Sequence, residues 1–215
     1  LGVDRLNETA KKFGLGKIVL KDFFENEKKG VVPSTKWKKD AIGENWYLGE
    51  TLITGIGQGY IQTTPLQLTL MTAQLANGGN KIYPTIIPNK KNIDLIKQEM
   101  NNNEDLDFKT DHTSLVRNKE NVKFVLDAMF RSTNEVYGTS YSSRIEDPKY
   151  QFAGKTGTAQ VKRITEAERE LDRKLEQIPY KERDHALYVA FGPYKNPRYA
   201  LTVLVEHGGS GSSAA

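Results

Sequence analysis

The sequence predicts an α+β fold, an antiparallel sheet flanked by helices, and three observations lead there. Residues 186–191 (ALYVAF) and 199–205 (YALTVLV) are apolar, strand-like runs joined by the turn Gly192-Pro193-Tyr194-Lys195-Asn196-Pro197, the pattern of an antiparallel hairpin. Residues 151–161 form a run of small residues that reads as a third strand. Residues 65–76 and 119–132 carry helical signals that would back this sheet.

Along the chain, Leu1, Leu6, Ala10 and Phe13 fall at helical spacing and Gly14 and Gly16 stop the pattern, which predicts one short helix. Residues 17–50 mix charges with Phe23, Phe24, Trp37, Trp46 and Tyr47 and show no period, so irregular structure with short strands is expected. Thr54-Gly55-Ile56-Gly57-Gln58-Gly59-Tyr60 is a loop with alternate glycines. Beyond it, Thr64 can cap a helix, Pro65 suits its first turn, and Gln67 completes a capping box. Asn77-Gly78-Gly79 ends that helix, because these residues tolerate the left-handed conformation.

Residues 89–112, centred on Asn101-Asn102-Asn103, are polar and predict a surface excursion. In the helix expected over 119–132, Val122, Val125, Leu126 and Met129 share one face. Ile164, Ala167, Leu171, Leu175 and Ile178 predict an amphipathic connecting helix over about 166–177, capped by Thr165 with Glu168 and stopped by Pro179. The end, Gly208-Gly209-Ser210-Gly211-Ser212-Ser213-Ala214-Ala215, reads as a loop opening into a helix. Leu1-Gly2-Val3-Asp4-Arg5 has no initiator methionine and no signal pattern, so the chain is expected to be part of a longer protein.

Composition narrows the chemistry. The 215 residues suffice for a substantial core, and 37% hydrophobic with 27% charged residues is an ordinary globular balance. The formal net charge is +4, with both signs interleaved, so no nucleic-acid partner is expected. Zero cysteines exclude disulfides, iron–sulfur clusters, thiol nucleophiles and cysteine-ligated zinc. His112, His185 and His207 are dispersed, so no metal site is expected.

The sharpest local signal is Gly154-Lys155-Thr156-Gly157-Thr158 in a strand-like frame of small residues. On a strand, Thr156, Thr158 and Gln160 share a face, while Lys155 has the opposite parity and must bring its ammonium round the strand. Two hydroxyls and a cation suit a carboxylate, and a backbone amide beside them suits a developing oxyanion. Glycine in such a strand lets a ligand backbone come close. The order G-x-x-x-x-G-K is missing, which excludes a nucleotide phosphate loop of that type.

Lys155-Thr156-Gly157-Thr158-Ala159-Gln160 resembles the third active-site motif of penicillin-binding protein transpeptidases. Gly55-Ile56-Gly57-Gln58-Gly59 followed by Thr64-Pro65-Leu66-Gln67 is similar to that family's loop and following helix. Pro33-Ser34-Thr35-Lys36-Trp37-Lys38, Trp46-Tyr47-Leu48-Gly49-Glu50-Thr51, Asp184-His185-Ala186 and Glu206-His207-Gly208-Gly209 resemble the class B, elongation-type subgroup. The resemblance implies the penicillin-binding, serine-transpeptidase fold, with residues 1–215 as the C-terminal portion of one transpeptidase domain. By the same resemblance Lys155 is the catalytic lysine of the motif, and Thr156, Gly157, Thr158 and, by parity, Gln160 contact substrate. The Thr158 amide would form half of an oxyanion hole.

The implied activity is D,D-transpeptidation of peptidoglycan stem peptides ending in D-Ala-D-Ala, with β-lactams as covalent ligands and no cofactor. The implied setting is the bacterial periplasm, below a membrane anchor upstream, beside a glycosyltransferase and other elongation proteins. The family's Ser-x-x-Lys motif occurs nowhere in the sequence. Ser132-Thr133-Asn134 matches the family's Ser-x-Asn pattern but lies too close to Lys155, at an expected helix end, and is read as a coincidence. Nucleophile and second motif are therefore expected upstream, in another part of the same protein. The alternatives are a β-lactamase or β-lactam sensor, and a noncatalytic module of the same fold.

Overall fold

The computed structural model describes residues 2–20, 23–84, 86, 113–162 and 175–214. Its centre is an antiparallel sheet of three strands in the order β1 (Ala153–Ala159), β2 (His185–Gly192), β3 (Tyr199–Val205). Thr156 sits opposite Tyr188, and Tyr188 opposite Val203. The strand alternation therefore places Gly154, Thr156, Thr158, Tyr188 and Ala190 on one face, and Ala153, Lys155, Val189 and Phe191 on the other. β2 has neighbours on both sides and buries Ala186, Tyr188, Ala190 and Phe191. On β3, Tyr199, Leu201 and Val203 remain exposed.

Helices sit where the capping signals put them. The first, α1 (Val3–Lys12), ends before Gly14. Residues 17–50 correct the expectation of irregular structure with short strands: they contain α2 (Thr35–Ile42), and α3 (Leu48–Gly55) begins within them. Each has only eight residues, too few for periodicity to show, and caps define them instead. The Ser34 hydroxyl accepts from the Trp37 amide and Gly43 closes α2 at φ 83°, while the Glu50 carboxylate accepts from the Tyr47 amide at the start of α3. The strand-like pairing in this stretch is an isolated bridge between Val31 and Gln62.

Lys38 on α2 is buried, its ammonium 2.5 Å from Glu50, 3.4 Å from Glu44 and 4.4 Å from the centre of the Tyr47 ring. Burial works against its charge, but the hydrogen bonds to Glu50 and Glu44 outweigh it and hold its pKa above the ordinary lysine value. Burial likewise opposes the Glu50 charge, and the bonds from Lys38 and the Tyr47 amide still hold that carboxyl below its usual range. The aromatics that hid the period in this stretch pack here, Trp37 and Trp46 both against Tyr60.

The fourth helix, α4 (Pro65–Ala76), has the expected capping box, with Thr64 and Gln67 each accepting from the other's amide. It packs on β3 and β2, and Thr69 bonds the Thr202 hydroxyl at 2.9 Å. Its buried side chains include Gln67 and Gln74, which act as polar staples. Gln67 donates to the carbonyls of Lys17 and Lys29, and Gln74 donates to the carbonyl of Phe13, so the N-terminal third hangs on α4.

Next, α5 (Lys119–Asn134) packs along β1, with Met129 touching Ala153 and Phe191 at the centre of the core. It runs past the expected end at 132, and Val125 is exposed rather than buried with Val122 and Met129. After β2 the chain turns at Pro193, and Tyr194 hydrogen-bonds Asp127 of α5; burial and then that bond push the phenol up to about 12. A short α6 (Gly211–Ala214) follows β3, as the small-residue ending predicts. The surface excursion at 89–112 lies outside the described residues, as does most of the connecting helix expected over 166–177; of the latter, Leu175–Gln177 is a 3₁₀ turn.

One close approach joins the sheet to α5. The Tyr188 ring crosses β1 over Gly154, so close that a Cβ at 154 would lie 2.2 Å from the Tyr188 hydroxyl. That hydroxyl reaches Thr133 at the end of α5, 3.0 Å away, and Ser140 beyond it, 3.1 Å away. Gly154→Ala should therefore lower stability by about 1–3 kcal/mol, the range for overpacking a filled core. Denaturant unfolding of the full-length protein measures it, and a variant as stable as the parent would show that the ring can move aside.

Candidate active site

The predicted motif lies on β1, the edge strand of the sheet among the described residues. Lys155 and Thr158 are exposed, Thr156 and Gly157 half-buried. Although Lys155 starts on the opposite face from Thr156, its ammonium folds round the edge to the carbonyl of Thr156 at 2.7 Å and the Thr156 hydroxyl at 3.3 Å. The structure thus brings the cation and one motif hydroxyl together on the open side of the strand. An ammonium has three N–H bonds. The third remains available for an anion.

Gln160 lies just past the strand and does not join this group. It lines a cleft of about 820 Å³ between the end of β1 and the glycine loop, with Ile53, Ile56, Gln58, Tyr60 and Val161. Glu50 reaches the same cleft, ionised through its contact with Lys38. The glycine loop and the Lys-Thr-Gly strand, far apart in sequence, are therefore neighbours. Gly57 and Gly59 have φ of 80° and 78°, which is why glycine alternates there.

The side chains of Ser132 and Asn134 have separate partners. Asn134 spends its amide nitrogen on the carbonyls of Phe130 and Phe152, bracing the entry to β1. Ser132 lies in the last turn of α5, its hydroxyl 3.3 Å from that of Thr139. Thr139 in turn stands 3.0 Å from the Thr156 hydroxyl, a contact that the sequence reading missed. Gly138-Thr139 has no periodicity or motif spacing to signal it. The histidines are also less dispersed than their spacing suggests: the rings of His185 and His207 lie 4.8 Å apart, and His185 Nδ1 accepts from the His207 amide. The Asp184 carboxylate accepts from the Val161 amide, tying the exit of β1 to the start of β2.

An antiparallel sheet with Lys-Thr-Gly on its open edge, backed by α4 and α5 and flanked by a glycine loop, is the frame of the penicillin-binding transpeptidase fold. The chain belongs to the penicillin-binding protein transpeptidase family, whose domain model matches residues 1–215. Within that family, the relatives matched along the whole chain include MrdA enzymes and PBP2 structures, as the class B resemblance implies. The peptidoglycan D,D-transpeptidase MrdA of Salmonella typhimurium is 34% identical over 213 residues, 98% of this chain and 32% of the relative. MrdA of Acinetobacter baumannii is 32% identical over 215 residues, 100% of this chain and 30% of the relative.

Among solved structures, Pseudomonas aeruginosa PBP2 in complex with WCK 5153 superposes with a TM-score of 0.73 at 35% identity, over 100% of this chain and 41% of that one. Helicobacter pylori PBP2, in a complex with MreC, gives 0.76 at 31%, over 99% and 34%. The chain spans about a third of the length of the curated relatives it matches.

The site has a structural support that can be tested separately. Gly211, which opens α6, lies against the backbone of β1 and β2, where a Cβ would come within 2.2 Å of the Gly157 carbonyl oxygen and 2.5 Å of that of Leu187. Backbone cannot swing aside as a side chain can. Gly211→Ala should push the middle of the motif strand away and lower the melting temperature of the full-length protein by several degrees, about 2–4 °C per kcal/mol in a domain of this size. An unchanged melting temperature would show that α6 is not seated there.

Proposed function

We propose that this chain is the Lys-Thr-Gly-bearing, C-terminal portion of the transpeptidase domain of a peptidoglycan D,D-transpeptidase acting in cell-wall elongation, whose nucleophilic serine is supplied by another part of the same protein. The observation that carries this reading is the placement of Lys155, Thr156 and Thr158 on the open edge of β1, in a chain matched along its whole length by the family.

The stem peptide, ending in D-Ala-D-Ala, would lie along that edge, with Gly157 giving its backbone room. The Thr158 hydroxyl receives the terminal carboxylate, the Lys155 ammonium helps position the substrate and supports proton movement about the serine, and the Thr158 amide faces the oxyanion. The serine oxygen bonds to the penultimate carbonyl carbon, the C–N bond to the last D-alanine breaks, and the leaving amine takes a proton. An amine of a neighbouring strand then attacks the acyl carbon, the bond to serine breaks, and the proton returns to serine. A β-lactam enters by the same attack and stays attached, because its opened ring blocks transfer.

In this reading, as the family resemblance implies, the anchor belongs to another segment and the domain stands in the periplasm; among the described residues no helix is long and apolar enough to cross a membrane. The complex of Helicobacter pylori PBP2 with MreC supports a protein partner for the full-length protein; a glycosyltransferase and other elongation proteins are proposed from the family resemblance alone.

In the full-length protein, Lys155→Ala should lower the second-order rate of acylation by a fluorescent penicillin by at least about a hundredfold. Ser132→Ala should leave that rate within about twofold, as expected for a hydroxyl contact that water can replace. An unaffected Lys155→Ala would remove the lysine from the site, and a large loss for Ser132→Ala would make Ser132 part of the second motif. Rapid turnover of the penicillin by the parent would favour a β-lactamase, and no reaction at all a noncatalytic module.

Incubated by itself with the same penicillin, the 215-residue chain should form no covalent adduct. A stoichiometric, denaturation-resistant label on a chain shown by mass spectrometry to begin at Leu1 would place the nucleophile within it.

A further inference from the structure

We infer that Thr139 is a positioning residue for the reaction: through the Thr156 hydroxyl it holds the Lys155 ammonium at the open edge of β1. The inference rests on the transpeptidase reading given above. Three polar groups stand in a row, Lys155 Nζ, Thr156 Oγ1 and Thr139 Oγ1, at successive separations of 3.3 and 3.0 Å. An ammonium only donates, so Thr156 Oγ1 accepts from Lys155. Thr156 and Thr139 share one hydrogen bond, in which either hydroxyl can donate, since a hydroxyl oxygen has two lone pairs and can accept from Lys155 and Thr139 together. In either arrangement the bond to Thr139 restrains the Thr156 hydroxyl with a lone pair toward the cation.

Thr139 is exposed, yet its backbone is held. The chain turns at Gly138, where a Cβ would sit 2.2 Å from the Ser132 carbonyl oxygen, so residue 138 lies directly on the last turn of α5. Ser140, one residue further, is buried and donates both its amide and its hydroxyl to that same carbonyl, each at 3.1 Å. Tyr188 and Thr133 close the buried cluster around Ser140. Thr139 is therefore presented to β1 from a braced turn, and its hydroxyl is the part that faces the motif.

With the Thr139 hydroxyl replaced by a methyl group, the Thr156 hydroxyl loses this partner and turns freely. Lys155 then keeps only the Thr156 carbonyl. Binding through Thr158 is untouched, so the loss falls on the chemical step.

The test uses the full-length protein and its Thr139→Val, Thr139→Ser and Lys155→Ala variants, with a fluorescent penicillin, resolving the acylation rate constant from the dissociation constant of the initial complex. Thr139→Val should slow acylation about five- to tenfold, the scale of one hydrogen bond expressed in a barrier. The dissociation constant and the melting temperature should hold. Thr139→Ser should restore the parent rate to within about twofold, since it keeps the hydroxyl and loses only a methyl group.

A Thr139→Val protein acylated at the parent rate overturns the inference, as does a Thr139→Ser protein as slow as the valine variant or a loss found only in the dissociation constant. A crystal structure of Thr139→Val gives a second reading independent of labelling: the Lys155 ammonium should leave the Thr156 hydroxyl, and an unmoved pair overturns the positioning role. A parent protein that takes no label breaks the transpeptidase reading instead, and the crystal structure still decides the contact.

Discussion

The passage of Tyr188 over Gly154 is the contact on which the rest of the site depends. A tyrosine on the central strand must send its hydroxyl past the edge strand to reach α5, and only a residue without a Cβ leaves the way open. The hydroxyl then has a place among Thr133 and Ser140, all buried and bonded to one another. A buried cluster of this kind is stable only when every member is satisfied, so it holds the strand, the helix end and the turn in one relative position. The Lys-Thr-Gly motif is the next thing along that strand.

Elsewhere too, polar contacts do the joining that apolar packing usually does. The core proper is small, centred on Met129, Ala153 and Phe191. The N-terminal third is fastened to α4 by Gln67 and Gln74, whose amides take up carbonyls of loops that have no strand partners. Lys38 is buried beside the rings of Tyr47 and Tyr60 and paired with the half-buried Glu50 and the exposed Glu44, and Glu50 lines the cleft beside the glycine loop. Buried pairs of this sort add little net stability but tolerate few alternative arrangements, which suits a wall that must keep its shape beside a binding cleft.

Much of the fold was legible because its signals are local. The capping box at Thr64 and Gln67 and the closing Asn77-Gly78-Gly79 marked α4 to the residue, and the apolar runs around Gly192-Pro193 marked the hairpin. The two helices α2 and α3 were not legible. They are short, and their signals are a serine before a tryptophan and a glutamate after a tyrosine, in a stretch whose aromatics obey tertiary packing around Tyr60 rather than a helical period. Ser132-Thr133-Asn134 shows the converse. A three-residue pattern matched a catalytic motif, but in the fold its asparagine braces the backbone before β1.

What the sequence by itself determined is the strand that carries Lys155, the parity that separates the lysine from Thr156 and Thr158, and the family frame around them, since these follow from residue order and the two-residue repeat of a strand. Tertiary structure alone decided that the ammonium returns round the strand edge to Thr156, that Gln160 faces the glycine loop, and that Thr139 stands behind the motif. Those outcomes depend on how far apart pieces of backbone come to rest. That distance is settled by where a missing Cβ lets two chains touch, at Gly138, Gly154 and Gly211, and a glycine in the sequence does not say which neighbour it admits.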